Sequence, residues 1–222
     1  MLRGDRRTDQ GRRPSRGGVR VRVQQWAFGG LYGPGARWYD RFTRWLFLGE
    51  WQRWQEIVLS DLPGRGLVVE VGCGTGRLAS VASSAARPWL ATDRSPSMLA
   101  AARKRGRPAG PWFVRADAAR LPLATGTAIA IVSTFPSRYI VRPEVGAELA
   151  RVLAPGAGLV VVLSAELAAS GLRRRLRRWA LRRFYGGSSN LEATFAVPGF
   201  AGNVTTERSR WGTATVYRGG PA

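Results

Sequence analysis

Short apolar runs, each closed by an acid or a turn, divide the middle of the chain. Leu67-Val68-Val69-Glu70-Val71 meets alternating glycines, Gly72-Cys73-Gly74-Thr75-Gly76, and then an apolar-rich segment from Leu78 to Ala86 that Pro88 stops. This pattern predicts a buried strand, a tight loop and a helix. Trp89-Leu90-Ala91-Thr92-Asp93 predicts a second strand ending in an acid. Ser95 to Ala102 predicts a helix with Ser95 as N-cap and Pro96 in its first turn. Pro111 to Ala116 predicts a third strand, followed by Asp117. Thr127 to Thr134 is almost wholly apolar or small, which predicts a central strand buried on both faces. Glu144 to Leu153 reads as a helix halted by Pro155-Gly156, and Leu159 to Ser164 as a fifth strand. Ala193–Val197 and Thr213–Tyr217 predict two closing strands, with Pro198-Gly199 and Gly212 as turn signals. Alternating strands and helices imply an α/β fold: a doubly wound, mostly parallel, Rossmann-like sheet of seven strands with an antiparallel C-terminal hairpin.

The flanks differ. Residues 1–22 are Arg- and Gly-rich with few apolar positions, which predicts a disordered tail; an arm for RNA or phospholipid is the sharper alternative. Residues 23–64 carry many aromatics. Trp38, Phe42 and Trp45 fall on one helical face, and Trp54, Ile57 and Val58 continue in a second helix ending before Pro63-Gly64. These helices either cap the sheet, the favoured reading, or form a lid or an interfacial surface. Residues 65–222 form the Rossmann-like domain. Leu172, Leu176 and Trp179 make an apolar stripe on a helix otherwise filled with arginines. Its two readings are a solvated surface helix, which is preferred, and a peripheral contact with an anionic membrane.

Composition changes this picture little. The chain has 222 residues, suited to one sizeable core. No apolar run approaches the roughly 18 residues of a membrane span. The first residues lack the apolar core of a signal peptide, which argues for a cytoplasmic protein, or one peripheral to a membrane. The single cysteine, Cys73, excludes an internal disulfide, and the absence of histidine removes the commonest general base and most zinc sites. A net charge of +21 suggests nucleic acid. Yet Lys104 is the single lysine among the basic residues, a skew that a GC-rich coding sequence produces, so a nucleic-acid partner is not favoured.

The glycine string excludes two ligand loops. A P-loop needs Gly-Lys-Ser/Thr where Gly76-Arg77-Leu78 stands, and a dinucleotide fingerprint needs a final glycine where Arg77 stands. Three acids, Glu70, Asp93 and Asp117, close successive strands. Asp93 follows Glu70 at close to the ~20-residue interval of a ribose-binding acid.

From Tyr39 to about Ser164 the chain resembles class I S-adenosylmethionine-dependent methyltransferases, in particular the ubiquinone/menaquinone C-methyltransferase subgroup. The resemblance rests on Tyr39-Asp40 with Leu48-Gly49 and Trp54, Glu70 to Gly76, Asp93-Arg94-Ser95 with Met98-Leu99, Ala116-Asp117-Ala118, and Glu148 to Gly156. It implies S-adenosyl-L-methionine as cofactor. Glu70 would orient the methionine amino group. The loop of Gly72, Cys73, Gly74 and Gly76 would pass against the methionine and ribose. Asp93 would take the ribose hydroxyls, Arg94 and Met98 would flank the adenine, and Asp117 would bond its amino group beside Ala118. Ser133 and Thr134 would sit near the sulfonium, and Tyr39 could close over the cofactor. The fourth strand departs from the family: Thr127-Ala128 replaces an aromatic–Asp pair, and Ser133-Thr134-Phe135-Pro136 replaces the Asn/Asp-Pro-Pro-Tyr of nitrogen methyltransferases. A small, lipophilic acceptor is thereby preferred. An RNA acceptor and a non-catalytic binding role are the alternatives. Tyr139, Tyr39 and Glu144 are candidate bases, and Cys73 is expected to pack quietly in the loop.

Overall fold

The computed structural model describes residues 50–83, 87–106, 110–167, 195–209 and 212–222. The Arg/Gly-rich tail, the aromatic positions from Trp26 to Phe47, Tyr39 among them, and the Arg-rich helix around 172–183 lie outside the described residues.

The architecture is a seven-stranded sheet with helices on both faces. Its strands are β1 (Val68–Val71), β2 (Trp89–Asp93), β3 (Trp112–Arg115), β4 (Ala128–Thr134), β5 (Leu153–Leu167), β6 (Phe200–Ser209) and β7 (Gly212–Pro221), in the order β3-β2-β1-β4-β5-β7-β6. The first five are parallel; β7 runs antiparallel to both β5 and β6. The chain builds outward from β1 through β2 to β3, then returns to lay β4 on the other side of β1. That reversal opens a crevice above the carboxyl ends of β1 and β4, where α/β sheets bind ligands.

Strand alternation sorts the core into two layers. Val68, Trp89, Ala91, Ala130, Val132, Val160 and Val162 face one side. There they meet α1 (Glu50–Glu56) and the following 3-10 turn (Ile57–Asp61) through Trp54 and Val58, and α2 (Arg77–Ala82) and α3 (Pro96–Arg103) through Leu78, Ala79 and Leu99. Val69, Val71, Ile131, Leu159, Val161 and Tyr217 face the other side. They pack on α4 (Pro143–Val152) through Val145, Leu149 and Val152. The expected central strand is β4, buried at all but one position. Ser95 caps α3 as expected, its hydroxyl accepting from the Met98 N–H at 3.4 Å, with Pro96 opening the helix.

Three boundaries differ from the sequence pattern. The first closing strand is β6, starting at Phe200, not Ala193–Val197; Phe195 to Val197 are outside any strand. Those residues are apolar because they cover the sheet. Phe195 packs edge-on against Tyr217 with ring centroids 5.3 Å apart, and Val197 is buried. The true β6 is an edge strand with many exposed positions, so it carries little apolar alternation. Pro198-Gly199 turns into β6 and does not separate the two strands. Helix α2 ends at Ala82, where Ser83 turns extended, short of the expected Ala86. β5 begins earlier than expected, directly after α4. Among the described residues, no helix is long and apolar enough to cross a membrane.

Candidate functional site

A cavity of about 480 Å3 lies in the crevice, within the ordinary range for a small-molecule site. Its floor is the β1–α2 loop. One end is built from the carboxyl ends of β2 and β3, the other from α1, the start of α2 and the segment after β4.

At the first end the geometry is held by backbone N–H groups. Asp93 closes β2. Its Oδ2 accepts from Gly74 N–H at 2.9 Å and its Oδ1 from Ser95 N–H at 2.8 Å. Gly74 has φ +53°, and a Cβ there would meet nothing within 4 Å. The loop is thus bare on that side, open to a ligand lying against the backbone. Asp117 closes the turn after β3. Its Oδ1 accepts from Ala119 N–H at 3.0 Å, and its Oδ2 lies 3.5 Å from Arg94 Nε. Met98 and Ala118 add the apolar surface between these acids.

Gly72, Cys73, Gly74, Asp93, Arg94, Met98, Asp117 and Ala118 all line this one cavity. Glu70, Gly76 and Ser133 do not. On β1, Glu70 shares a face with Val68, so its side chain turns beneath the loop and under α2. It is 1% exposed and accepts from Trp89 Nε1 at 3.0 Å. It also accepts from the Ala79 N–H in the first turn of α2. Glu70, expected to orient a ligand's amino group, is not among the residues that line the cavity; its side chain holds the helix start from below. Burial pushes its carboxyl up to about 8, with the Asp93 charge adding to the rise and the Trp89 and Ala79 hydrogen bonds opposing it. At neutral pH Glu70 is therefore largely protonated and uncharged.

Gly76 is also a packing residue. It sits at φ +70°, and a Cβ would come 2.5 Å from Phe113 and 2.7 Å from Ala102. Ser133 is fully buried, its hydroxyl donating to Val71 O at 2.7 Å. Strand alternation again decides: Thr134, the next residue, faces the cavity and accepts from Gln55 Nε2 at 3.3 Å.

Of the candidate bases, Tyr139 lines the cavity. Its hydroxyl donates to Val71 O at 3.1 Å and fills the space a Gly72 Cβ would need, 2.4 Å away. Glu144 does not line the cavity. Its own backbone N–H and Arg142 hold its carboxyl below the usual range, which makes it a poor base. Burial pushes the Cys73 thiol well above its ordinary value, and Asp93, with Glu70 once that carboxyl ionises in the alkaline range, adds to this, so it stays a protonated thiol.

Sequence reasoning missed Gln52, Gln55, Arg77, Arg115 and Arg142, which also line the cavity. Arg77 had a signal: it stands where a dinucleotide loop carries its last glycine. Gln52 and Gln55 had none beyond being polar, i and i+3, in a stretch otherwise rich in aromatics.

The strand order, with its single antiparallel β7, is that of known methyltransferase structures to which the chain is similar in fold. Residues 68–156 match the family model described as a methyltransferase domain. Over those residues the chain is similar to methyltransferase domains. Among curated relatives, a demethylmenaquinone methyltransferase from Thermus thermophilus is 35% identical over 133 residues, which cover 56% of this chain and 60% of that protein. The chain spans little more than half the length of the curated relatives it matches. Two solved structures share the fold. Geranyl diphosphate methyltransferase in complex with S-adenosylmethionine is 14% identical with a TM-score of 0.55, covering 77% of this chain and 85% of that one. Magnesium protoporphyrin IX methyltransferase from Synechocystis PCC 6803, with bound S-adenosylhomocysteine, is 17% identical with a TM-score of 0.54, covering 91% and 99%.

Proposed function

We propose that this protein transfers a methyl group from S-adenosyl-L-methionine to a small, lipophilic acceptor. The observation that carries the reading is the Asp93 carboxylate, fixed by the Gly74 and Ser95 N–H groups at the edge of an open glycine loop. Each of its oxygens accepts one backbone bond and keeps a lone pair for a ribose hydroxyl. Met98 and Ala118 supply the apolar bed for the adenine, Arg94 flanks it, and Asp117 stands at its amino edge. The backbone of Gly72, Cys73 and Gly74 is the floor. Glu70 and Gly76 serve this site from beneath, through the start of α2 and its packing on β3.

The bound cofactor supplies a methyl group made electrophilic by a sulfonium. The residues of this chain orient and enclose. Phe135, Pro136 and Tyr139 line the end away from the nucleoside, next to Thr134. An aromatic, apolar wall there suits a flat lipophilic ring, as the names of the quinone-modifying relatives also suggest. Tyr139 is the hydroxyl best placed to steer an acidic phenol or enol, and no carboxylate base is needed for such an acceptor. Residues 1–22 are assigned, from sequence, to a tail, 23–64 to a helical cap on the sheet, and 65–222 to the methyltransferase domain. Trp54 and Gln55, from the cap, already touch the core and the cavity. The Arg-rich segment 172–183 is assigned, from its sequence alone, a surface helix able to rest on anionic lipid.

Titration calorimetry with S-adenosylhomocysteine, followed by a screen of hydroquinones and phenols with methyl-labelled cofactor, tests the reading. Asp93→Ala is expected to weaken the nucleoside about 100-fold, the size of two charge-assisted hydrogen bonds. No binding by the wild type, or equal binding by Asp93→Ala, would refute it.

A further inference from the structure

Side chains at the end of β4 alternate between the two layers of the core, and then the alternation breaks. Val132 packs in the layer beneath α1 and α2. Ser133 turns to the opposite face, where its hydroxyl donates to Val71 O at 2.7 Å and lies 3.1 Å from the Tyr139 hydroxyl. Thr134 returns to the first face and accepts from Gln55 of α1. Alternation therefore sends the next residue, Phe135, to the face of Ser133. Its ring lies instead on the face of Thr134. It packs against the layer that holds Trp54 and Val162, and it lines the cavity. The inversion is made in the backbone. Phe135 has φ +52°, and among the described residues it is the one non-glycine residue in the left-handed region. Its N–H still donates to Val162 O at 2.7 Å, and Pro136 follows at once. The chain is thus held on both sides of the strained residue.

Strain of this kind persists where the surroundings enforce it, and it collects at ligand sites. Glycine would make the same turn without strain, so what the strain retains is the ring. The core does not demand it there, because the ring is only partly buried and its remaining surface belongs to the cavity wall. Resting on the methyltransferase reading above, we infer that Phe135 is the residue that selects the acceptor: its inverted backbone presents a ring on which a flat aromatic acceptor stacks, in preference to a saturated lipophile of the same skeleton. An aliphatic wall would take either shape alike. A ring gains its extra contact energy only from another ring. Tyr139 reaches the same cavity from the opposite face of the sheet, so its hydroxyl stands beside the stacked acceptor and not beneath it.

The test titrates the full chain, saturated with S-adenosylhomocysteine, with 2-naphthol and with decahydro-2-naphthol, which keeps the skeleton and the hydroxyl but is not aromatic. The wild type is expected to prefer 2-naphthol about fivefold, the scale of one aromatic pair. Phe135→Leu should remove most of that preference and Phe135→Tyr should keep it. Both should leave S-adenosylhomocysteine itself within about twofold. The backbone is tested separately by urea unfolding. Phe135→Gly should have a higher midpoint than Phe135→Ala, the reverse of the usual order, because glycine alone relieves the left-handed φ. Phe135→Gly also supplies the ligand comparison if Phe135→Leu fails to fold. Wild-type protein that binds the two naphthols equally or not at all, or a Phe135→Leu variant that keeps the preference, overturns the assignment alone. An alanine variant as stable as the glycine variant, or more so, overturns the enforced inversion on which it stands. Wild-type protein that binds no S-adenosylhomocysteine overturns the assignment together with the reading beneath it.

Discussion

The two ends of the cavity are built by different means. At the nucleoside end, acids at strand termini are fixed by backbone N–H groups: Asp93 by Gly74 and Ser95, Asp117 by Ala119. Their positions follow from strand lengths and from a turn, and they survive large changes in surrounding side chains. At the opposite end, the polar groups are side chains meeting side chains across a helix seam, Gln55 on Thr134 and Arg77 on Glu56. The first end is a property of the fold. The second is a property of this chain, and it is where differences among members of the superfamily can accumulate.

Gly76 joins the two ends, and changing it should have the largest effect. It packs against Phe113 and Ala102 on the nucleoside side and begins the helix that carries Arg77. Alanine there combines a left-handed backbone with contacts of 2.5 and 2.7 Å. Gly76→Ala is expected to cost about 2–4 kcal/mol, read as a lowered urea midpoint. It should weaken S-adenosylhomocysteine and methylthioadenosine together. Loss of only one ligand would separate the ends more completely than the shared loop allows.

Glu70 gives a pH-dependent version of the same comparison, because it braces α2 from below. Its folded value, about 8, lies above the ordinary 4.5. Between those values the folded state binds more protons than the unfolded state. The contribution is full at low pH and is lost as pH rises through about 8. A slope of at most about 1.4 kcal/mol per pH unit is expected from this group. Glu70→Gln keeps an acceptor for Trp89 and Ala79 but removes the titration. Urea unfolding of the wild type at pH 5.5 and 8 should show stability falling with pH, and the variant should show a flatter line. Parallel lines for the two proteins would mean that Glu70 is not the protonated brace described here.

The same division explains what was legible in the sequence. The alternating fold, the glycine loop, Asp93 and Asp117 were readable because apolar periodicity and strand-end spacing encode them directly. Glu70 was readable as a motif residue but not in its orientation, because one step of strand alternation decides between cavity and core. Ser133 and Thr134 were expected side by side at the site, and the same alternation leaves only Thr134 facing the cavity. β6 was missed because an edge strand need not alternate, while the apolar Phe195 and Val197 imitate a strand by covering one. Glu56 and Arg77 were not legible as a pair. Their meeting depends on how α1 settles on the sheet through Trp54 and Val58, a tertiary contact that no local pattern records.

The smallest effect should come from the other arginine of the cavity. Arg94 flanks the nucleoside end, as Arg77 flanks the far end, and both have an acidic partner. Their surroundings separate them. The Arg94 side chain is 75% exposed and sits 3.5 Å from an Asp117 that is 42% exposed. Arg77 pairs at 3.2 Å and has its Nε sealed from solvent. An exposed pair is screened by water and salt and contributes about 0–1 kcal/mol. Asp117, moreover, keeps its Ala119 bond without Arg94. Arg94→Ala should shift the urea midpoint little and weaken both nucleosides by about threefold or less, within that exposed-pair range. Its effect should also vanish in high salt. A tenfold loss from Arg94→Ala that survives high salt would place a second buried contact at the nucleoside end, and side chains as well as backbone would then have to hold it.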